Sequence, residues 1–311
     1  MAALLAAMAW TGCQNRLELE DPEIPDEKPI RDSVTLTIEA GKSADTKGLE
    51  LVTENSIENL NAFWRSGEVV KVFTTGSASA IGTLTATPKE DKTKATLSGT
   101  IDVTDLSAGQ TLILLYPKET WSYEGQTGRL LHDEVNHSTW SSIEKDFDYA
   151  RAVVTITEVS ATSIITSSTT TFENQQSIVR FGFRHGNGGP TIRSKTVLIT
   201  SNRNQLAKTV NATTGENTYY TSDEAMRIDL PVALTETEAS DNTLLYFAIR
   251  NGNKTQEDTF TFTIYDADGA TFKGSKTIPA SIIDKSFISA KNVGLSRLEL
   301  TQGETTVTTA L

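Results

Sequence analysis

Ser33-Val34-Thr35-Leu36-Thr37-Ile38-Glu39 alternates without a break. In an extended chain Val34, Leu36 and Ile38 fall on one face and Thr35 and Thr37 on the other, the period of two that marks a half-buried strand. Thr259–Tyr265 repeats the pattern, with Phe260, Phe262 and Ile264 opposite Thr261 and Thr263. Asp266-Ala267-Asp268-Gly269 follows, and then a second mixed run from Ala270 to Ile278. That order predicts a hairpin in which Gly269 supplies a positive φ.

Outward from these two anchors, similar runs recur at Val69–Thr74, Ala80–Ala86, Ala95–Asp102, Thr111–Tyr116, Arg151–Thr157, Ser177–Phe183, Lys195–Thr200, Met226–Val232, Leu244–Ile249 and Asn292–Leu300. Turn formers separate them, among them Gly67, Gly109-Gln110, Gly186–Pro190 and Asn251-Gly252-Asn253. Many short strands with polar turns predict an all-β sandwich or barrel. Helical signals are few: Thr53–Ala62 and Ser141–Asp148 could each hold a turn or two. The 311 residues suffice for two domains of ordinary size. The Ser/Thr run Thr166–Thr171 places their boundary near Ser167, giving an N-terminal β-sandwich over 33–167 and a C-terminal one over 168–301.

The segment before Ser33 is of another kind. Ala2–Trp10 is wholly apolar and, at nine residues, too short to span a bilayer, which needs roughly 20. It suits the apolar part of a signal peptide. Thr11-Gly12-Cys13 follows and resembles a bacterial lipobox, with Cys13 as the lipidated residue and 1–13 as the lipoprotein signal peptide. Trp10 stands where that pattern usually has Leu, and no Lys or Arg precedes Cys13, so a start upstream of Met1 is expected. The competing reading is a buried N-terminal helix with a free thiol. Cys13 is the one cysteine, which excludes a disulfide within the chain and a cysteine-rich zinc site. Residues 14–32 carry Glu18, Glu20, Asp21, Glu23, Asp26, Glu27 and Asp32 with Pro22, Pro25 and Pro29. This composition resists packing and reads as an acidic, extended tether, about 3.1 Å long per residue.

The net charge of −12 argues against nucleic acid as a partner and against basic adhesion to anionic lipid. No catalytic constellation stands out. His132 and His137 lie five apart in a predicted loop and His185 stands alone, whereas zinc needs three or four convergent ligands. Asp266–Gly269 begins like a calcium loop but lacks the later carboxylates, so a hairpin turn is the better reading. No phosphate-cradling glycine loop and no Gly-x-Ser-x-Gly elbow appears. No cofactor and no enzymatic activity are expected. Trp121, Tyr123 and Trp140 could stack on a sugar, though core packing is the commoner fate of such side chains.

Trp64-Arg65-Ser66-Gly67-Glu68-Val69-Val70-Lys71-Val72-Phe73 resembles the "W-x-x-G-D-x-V-x-V-Y" segment of the fimbrillin family, the subunits of type V pili of Gram-negative anaerobes. Thr111–Pro117, Phe147-Asp148-Tyr149-Ala150, Thr171–Phe181 (as the start of a second domain) and the late hairpin ending Thr277-Ile278-Pro279-Ala280 continue the match in order. Glu68 and Phe73 replace the commoner Asp and Tyr. The resemblance implies two tandem transthyretin-like Greek-key β-sandwich domains, secretion as a palmitate-bearing lipoprotein, and display at the cell outer membrane or in a fimbrium. Its implied partners are other fimbrial subunits in a homo- or hetero-polymer, the outer membrane through the lipid, and host or bacterial surface ligands. It also implies assembly by donor-strand exchange after a protease cuts beyond the first strand, for which the matching position is Lys47. The tail 302–311 is then a candidate donor, since Thr305, Val307, Thr309 and Leu311 share one face when extended. The runner-up function is a monomeric surface lipoprotein that binds glycans.

Overall fold

The computed structural model describes residues 33–42, 48–54, 57–77, 79–116, 122–124, 127–129, 149–160, 162–167, 169–175, 177–186, 189–211, 214–230, 233, 245–250, 252, 255–280 and 287–297. All belong to one unit, Arg31–Leu311. Every named element is a strand, so the protein is all-β. The strands are β1 (Ser33–Lys42), β2 (Gly48–Glu54), β3 (Ile57–Phe63), β4 (Val69–Thr74), β5 (Gly82–Pro88), β6 (Lys94–Asp102) and β7 (Thr111–Tyr116). Then come β8 (Ser122–Glu124), β9 (Thr127–Arg129), β10 (Ala150–Val159), β11 (Ser163–Thr166), β12 (Thr169–Asn174), β13 (Ser177–His185) and β14 (Ser194–Ser201). The last are β15 (Ala207–Val210), β16 (Asn217–Tyr219), β17 (Met226–Asp229), β18 (Leu245–Ile249), β19 (Asp258–Asp266), β20 (Thr271–Ile278) and β21 (Phe287–Arg297).

The first sheet closes on itself. Its order is β11-β1-β12-β10-β7-β4-β5-β6, and β6 returns to pair with β1. Consecutive strands β4, β5 and β6 form an antiparallel meander, and β7 comes back to lie beside β4. That is a Greek key. Inward-facing residues alternate along each strand and build one core, including Val34, Leu36, Ile38, Val72, Leu84, Leu97, Leu114, Val154 and Phe172. β7 is buried along nearly its whole length.

The second assembly has the order β17-β14-β19-β20-β21-β13-β18. β21 runs parallel to β13 and, at its end, antiparallel to β20, so it joins the two leaves that enclose the second core. Phenylalanines dominate that core. Phe181 meets Phe262 edge-on at 4.8 Å, and Phe183 lies 5.2 Å from Phe262. Such pairs add about 0.5–1.5 kcal/mol beyond their area burial. The β19–β20 hairpin falls where the alternation placed it, with Gly269 at φ 82°. Asp266 Oδ1 accepts from the N–H groups of Asp268 and Ala270 at 3.0 and 2.7 Å, so this carboxylate closes the turn.

One expectation needs correction. Thr53–Ala62 is not helical: β2 and β3 form a hairpin in the register Glu54↔Ile57 to Gly48↔Phe63. Val52, Thr53 and Ile57 are β-branched and favour extended backbone, and the partner strand decides the matter. The change of sheet falls between Asn174 and Ser177. Thr170 and Phe172 are buried in alternation along β12, which pairs with β1 and β10 of the first sheet. Thr169–Thr171 of the Ser/Thr run therefore belong to a half-buried strand of the first sheet.

Candidate functional site

β1 is the strand on which the first sheet closes. It pairs antiparallel with β6 from Ser33↔Asp102 to Gly41↔Lys94. On its other side it pairs in parallel with β11 at Thr35↔Ser163 and with β12 from Glu39↔Thr169 to Lys42↔Phe172. Both long edges are thus occupied. The strand's alternation continues past the Glu39 limit read from sequence: Val34, Leu36, Ile38, Ala40 and Lys42 are all buried. On the outer face Glu39 accepts from Thr96 Oγ1 at 2.7 Å and is ion-paired with Lys89. The Lys89 hydrogen bond, followed by that from Thr96, holds the Glu39 carboxyl below its ordinary value.

Lys42 is the surprise of the strand. It lies beyond the apolar alternation of Ser33–Glu39, yet its side chain is fully buried. Period two puts it on the inward face with Ala40, but a lysine there contradicts the apolar pattern unless a partner is waiting. The partner is a box made by other elements. Trp64, Gly67 and Glu68 come from the turn between β3 and β4, and Tyr116 from the end of β7. Gly67 sits at φ 85°, which lets the chain turn so that Glu68 faces inward. The Arg65 N–H donates to Glu68 Oε2 at 3.0 Å, and Tyr116 OH donates to Glu68 Oε1 at 2.7 Å.

Into this box Lys42 Nζ projects 3.3 Å from Glu68 Oε2 and donates to the Phe63 carbonyl at 3.1 Å. The same ammonium lies 4.1 Å from the Trp64 ring centroid and 4.2 Å from that of Tyr116. Phe172 and Tyr116 meet Trp64 edge-on at 5.2 and 5.7 Å. A buried cation is tolerable only when charge, hydrogen bonds and ring faces replace its water, and all three are present. The Trp64–Phe73 segment singled out in the sequence thus has a structural role: it builds the receptor for the end of β1.

A second cluster holds the passage from the first core to the second. Arg250, just after β18, donates from Nη1 to Gln175 O and Oε1 at 2.8 and 2.7 Å, and from Nε to Asn217 Oδ1 at 2.7 Å. Its Nη2 donates to Gly215 O at 3.3 Å. Burial pushes the Arg250 pKa down. Arg250 lines a polar cavity of about 340 Å³ with Arg151, Glu173 and Gln175. No motif in the sequence marked it.

Other sequence-derived sites are not part of this geometry. Cys13, Lys47, Thr305, Val307, Thr309 and Leu311 lie outside the described residues, as do the leader 1–13, the tether 14–32 and the tail 302–311. So do Ser141–Asp148, His132, His137, Trp121 and Trp140. The backbone of Tyr123 falls in β8. The His185 ring packs edge-on to Phe272 at 4.7 Å. Among the described residues no group of His, Cys, Asp and Glu could hold a metal ion.

No family model and no curated protein matches the chain. Solved structures similar to it include a candidate cell adhesion protein from Bacteroides ovatus, at 14% identity, covering 87% of this chain and 97% of that one with a TM-score of 0.41. A candidate adhesin from the same species has 10% identity, covers 87% of this chain and 96% of that one, and has a TM-score of 0.43. A fimbrial protein from Bacteroides ovatus has 11% identity, covers 85% of this chain and 49% of that one, and has a TM-score of 0.32. All three are described as adhesion or fimbrial proteins.

Proposed function

We propose that the chain is a structural and adhesive cell-surface lipoprotein, a pilus subunit of the fimbrillin kind that assembles by exchange of strands. The observation that carries this reading is the placement of β1. It is the first described strand, it is bonded along both edges, and it fills the first core with Val34, Leu36 and Ile38. Its departure would leave a lined groove between two sheet edges, and unpaired edges invite strand addition. Lys47, a few residues beyond its end, is the proposed cleavage point. The tail 302–311 is the proposed donor strand, entering the groove of a neighbouring subunit. Cys13 is the proposed lipid attachment point, and the acidic tether would hold the body away from the outer membrane.

Two measurements test the reading. Mass analysis of the surface form should find an acylated Cys13 at the N-terminus of uncut molecules and Gly48 at that of cut ones. An unmodified Cys13 together with an intact 43–47 segment in filaments would remove both processing steps. Electron microscopy of surface filaments, with antibody against this protein, addresses assembly. Deletion of Gln302–Leu311 should leave a folded protein that no longer enters filaments. Normal incorporation of the truncated chain would eliminate the tail as donor.

A further inference from the structure

The box around Lys42 has a property that the rest of the groove lacks. Apart from Lys42, its parts all belong to elements that remain if β1 is withdrawn: Trp64, Glu68 and the Phe63 carbonyl from the β3–β4 region, and Tyr116 from β7. An apolar groove accepts many strands, because Val, Leu and Ile are close to interchangeable in a core of the right volume. A carboxylate beside two rings whose faces receive an ammonium is more selective. Glu68 is nearly buried, with 12% of its side chain exposed. A strand that covered it without supplying a cation would leave a largely buried carboxylate with its hydrogen bonds from Arg65 N–H and Tyr116 OH but no counter-charge, which is costly.

We propose that Trp64, Glu68 and Tyr116 form a recognition subsite for a Lys or Arg side chain on whichever strand occupies the β1 groove. The groove then takes a partner strand with a basic residue at the position of Lys42, and it discriminates against the tail of another copy of this chain. Gln302–Leu311 contains neither Lys nor Arg. Its one charged side chain is Glu304, of the same sign as Glu68. The proposal rests on the reading of the β1 groove as an exchange site and adds the chemistry of its partner. The donor tail and the acceptor groove of this chain would accordingly serve different neighbours, and assembly through this groove is between unlike subunits.

The test uses the full chain with a site-specific protease sequence in place of Ser43–Lys47. After cutting, four fluorescent peptides are offered: residues 33–46 with an amidated end, the same peptide with Lys42→Met, the same with Lys42→Arg, and residues 302–311. Amidation and the extra residues keep a terminal carboxylate away from Glu68. The rate of peptide loss is read after dilution into excess unlabelled 33–46 peptide. The native and Lys42→Arg peptides should be retained, the Lys42→Met peptide should leave at least about tenfold faster, and the 302–311 peptide should not be held. Equal retention of the Lys and Met peptides overturns the subsite while leaving strand exchange intact. Failure of every peptide to enter the cut protein overturns exchange at this groove and the proposal with it. Retention of the 302–311 peptide as long as the native one overturns the discrimination against like subunits.

Discussion

Removal of Ser33–Lys42 from the full chain should unfold the first core while sparing the second. β1 buries Val34, Leu36 and Ile38 at 4%, 0% and 2% exposure. Each well-buried side chain of this size contributes about 1.5–3 kcal/mol, so the three together reach roughly 5–9 kcal/mol. A whole domain is stable by only about 5–15 kcal/mol. The backbone loss adds to this, because both β6 and the β11–β12 edge lose their ladders at once. The second core shares no residue with the first, and its phenylalanine packing should survive. The shortened chain is therefore expected to bind a hydrophobic dye strongly, to associate through its open edges, and to retain one cooperative unfolding transition. A peptide of the β1 sequence added in trans should suppress the dye binding. A shortened chain that stays monomeric, binds no dye and shows both transitions would contradict the closed-sheet account.

Replacement of Trp64 by alanine has the next largest expected effect. The indole is 1% exposed and touches Tyr116, Phe172 and the Lys42 ammonium. Truncating a large buried aromatic costs about 3–5 kcal/mol through lost burial and the cavity left behind. Here the cavity opens beside a buried cation, and the cation–π contribution disappears with the ring. The first unfolding transition in urea should move to markedly lower denaturant while the second stays in place. Trp64→Phe keeps a ring face and should recover part of the loss. A Trp64→Ala midpoint shift equivalent to less than about 1 kcal/mol would show that the box does not support the first core.

Much of the strand content was legible because the alternation was strong. Val69–Thr74 and Thr111–Tyr116 coincide with β4 and β7, and the Thr259–Ile278 hairpin turns at the predicted residues. These segments carry their own signal: β-branched residues, clear faces and turn formers at their ends. The misses share a cause, which is that distant partners decided them. The 53–62 segment mixes Asn, Glu and Leu with no clean period, so only its partner in the hairpin fixes it as extended. Thr169–Asn174 is likewise fixed by distant strands, β1 parallel on one side and β10 antiparallel on the other. The clasp at Lys42 brings together residues from positions 42, 64, 68 and 116, and no short motif contains that separation. Arg250 was hidden for the same reason, since its acceptors at Gln175, Gly215 and Asn217 are remote in sequence. Trp64, Gly67 and Glu68 were visible as a resemblance, but the geometry alone supplies the reason for their spacing.

The placement of β1 between two bonded neighbours also has a mechanical meaning. An edge strand can be peeled, breaking its rungs one after another under a small force. β1 cannot be peeled in that way. Tension applied at Ser33 along the strand axis would load the ladder to β6 and the ladders to β11 and β12 together, in shear. The ammonium of Lys42 sits at the far end of that load path, held by a carboxylate and two rings. Pulling by the N-terminal side would therefore drag a desolvated charge out through the length of the groove, so this strand is built to bear a steady pull.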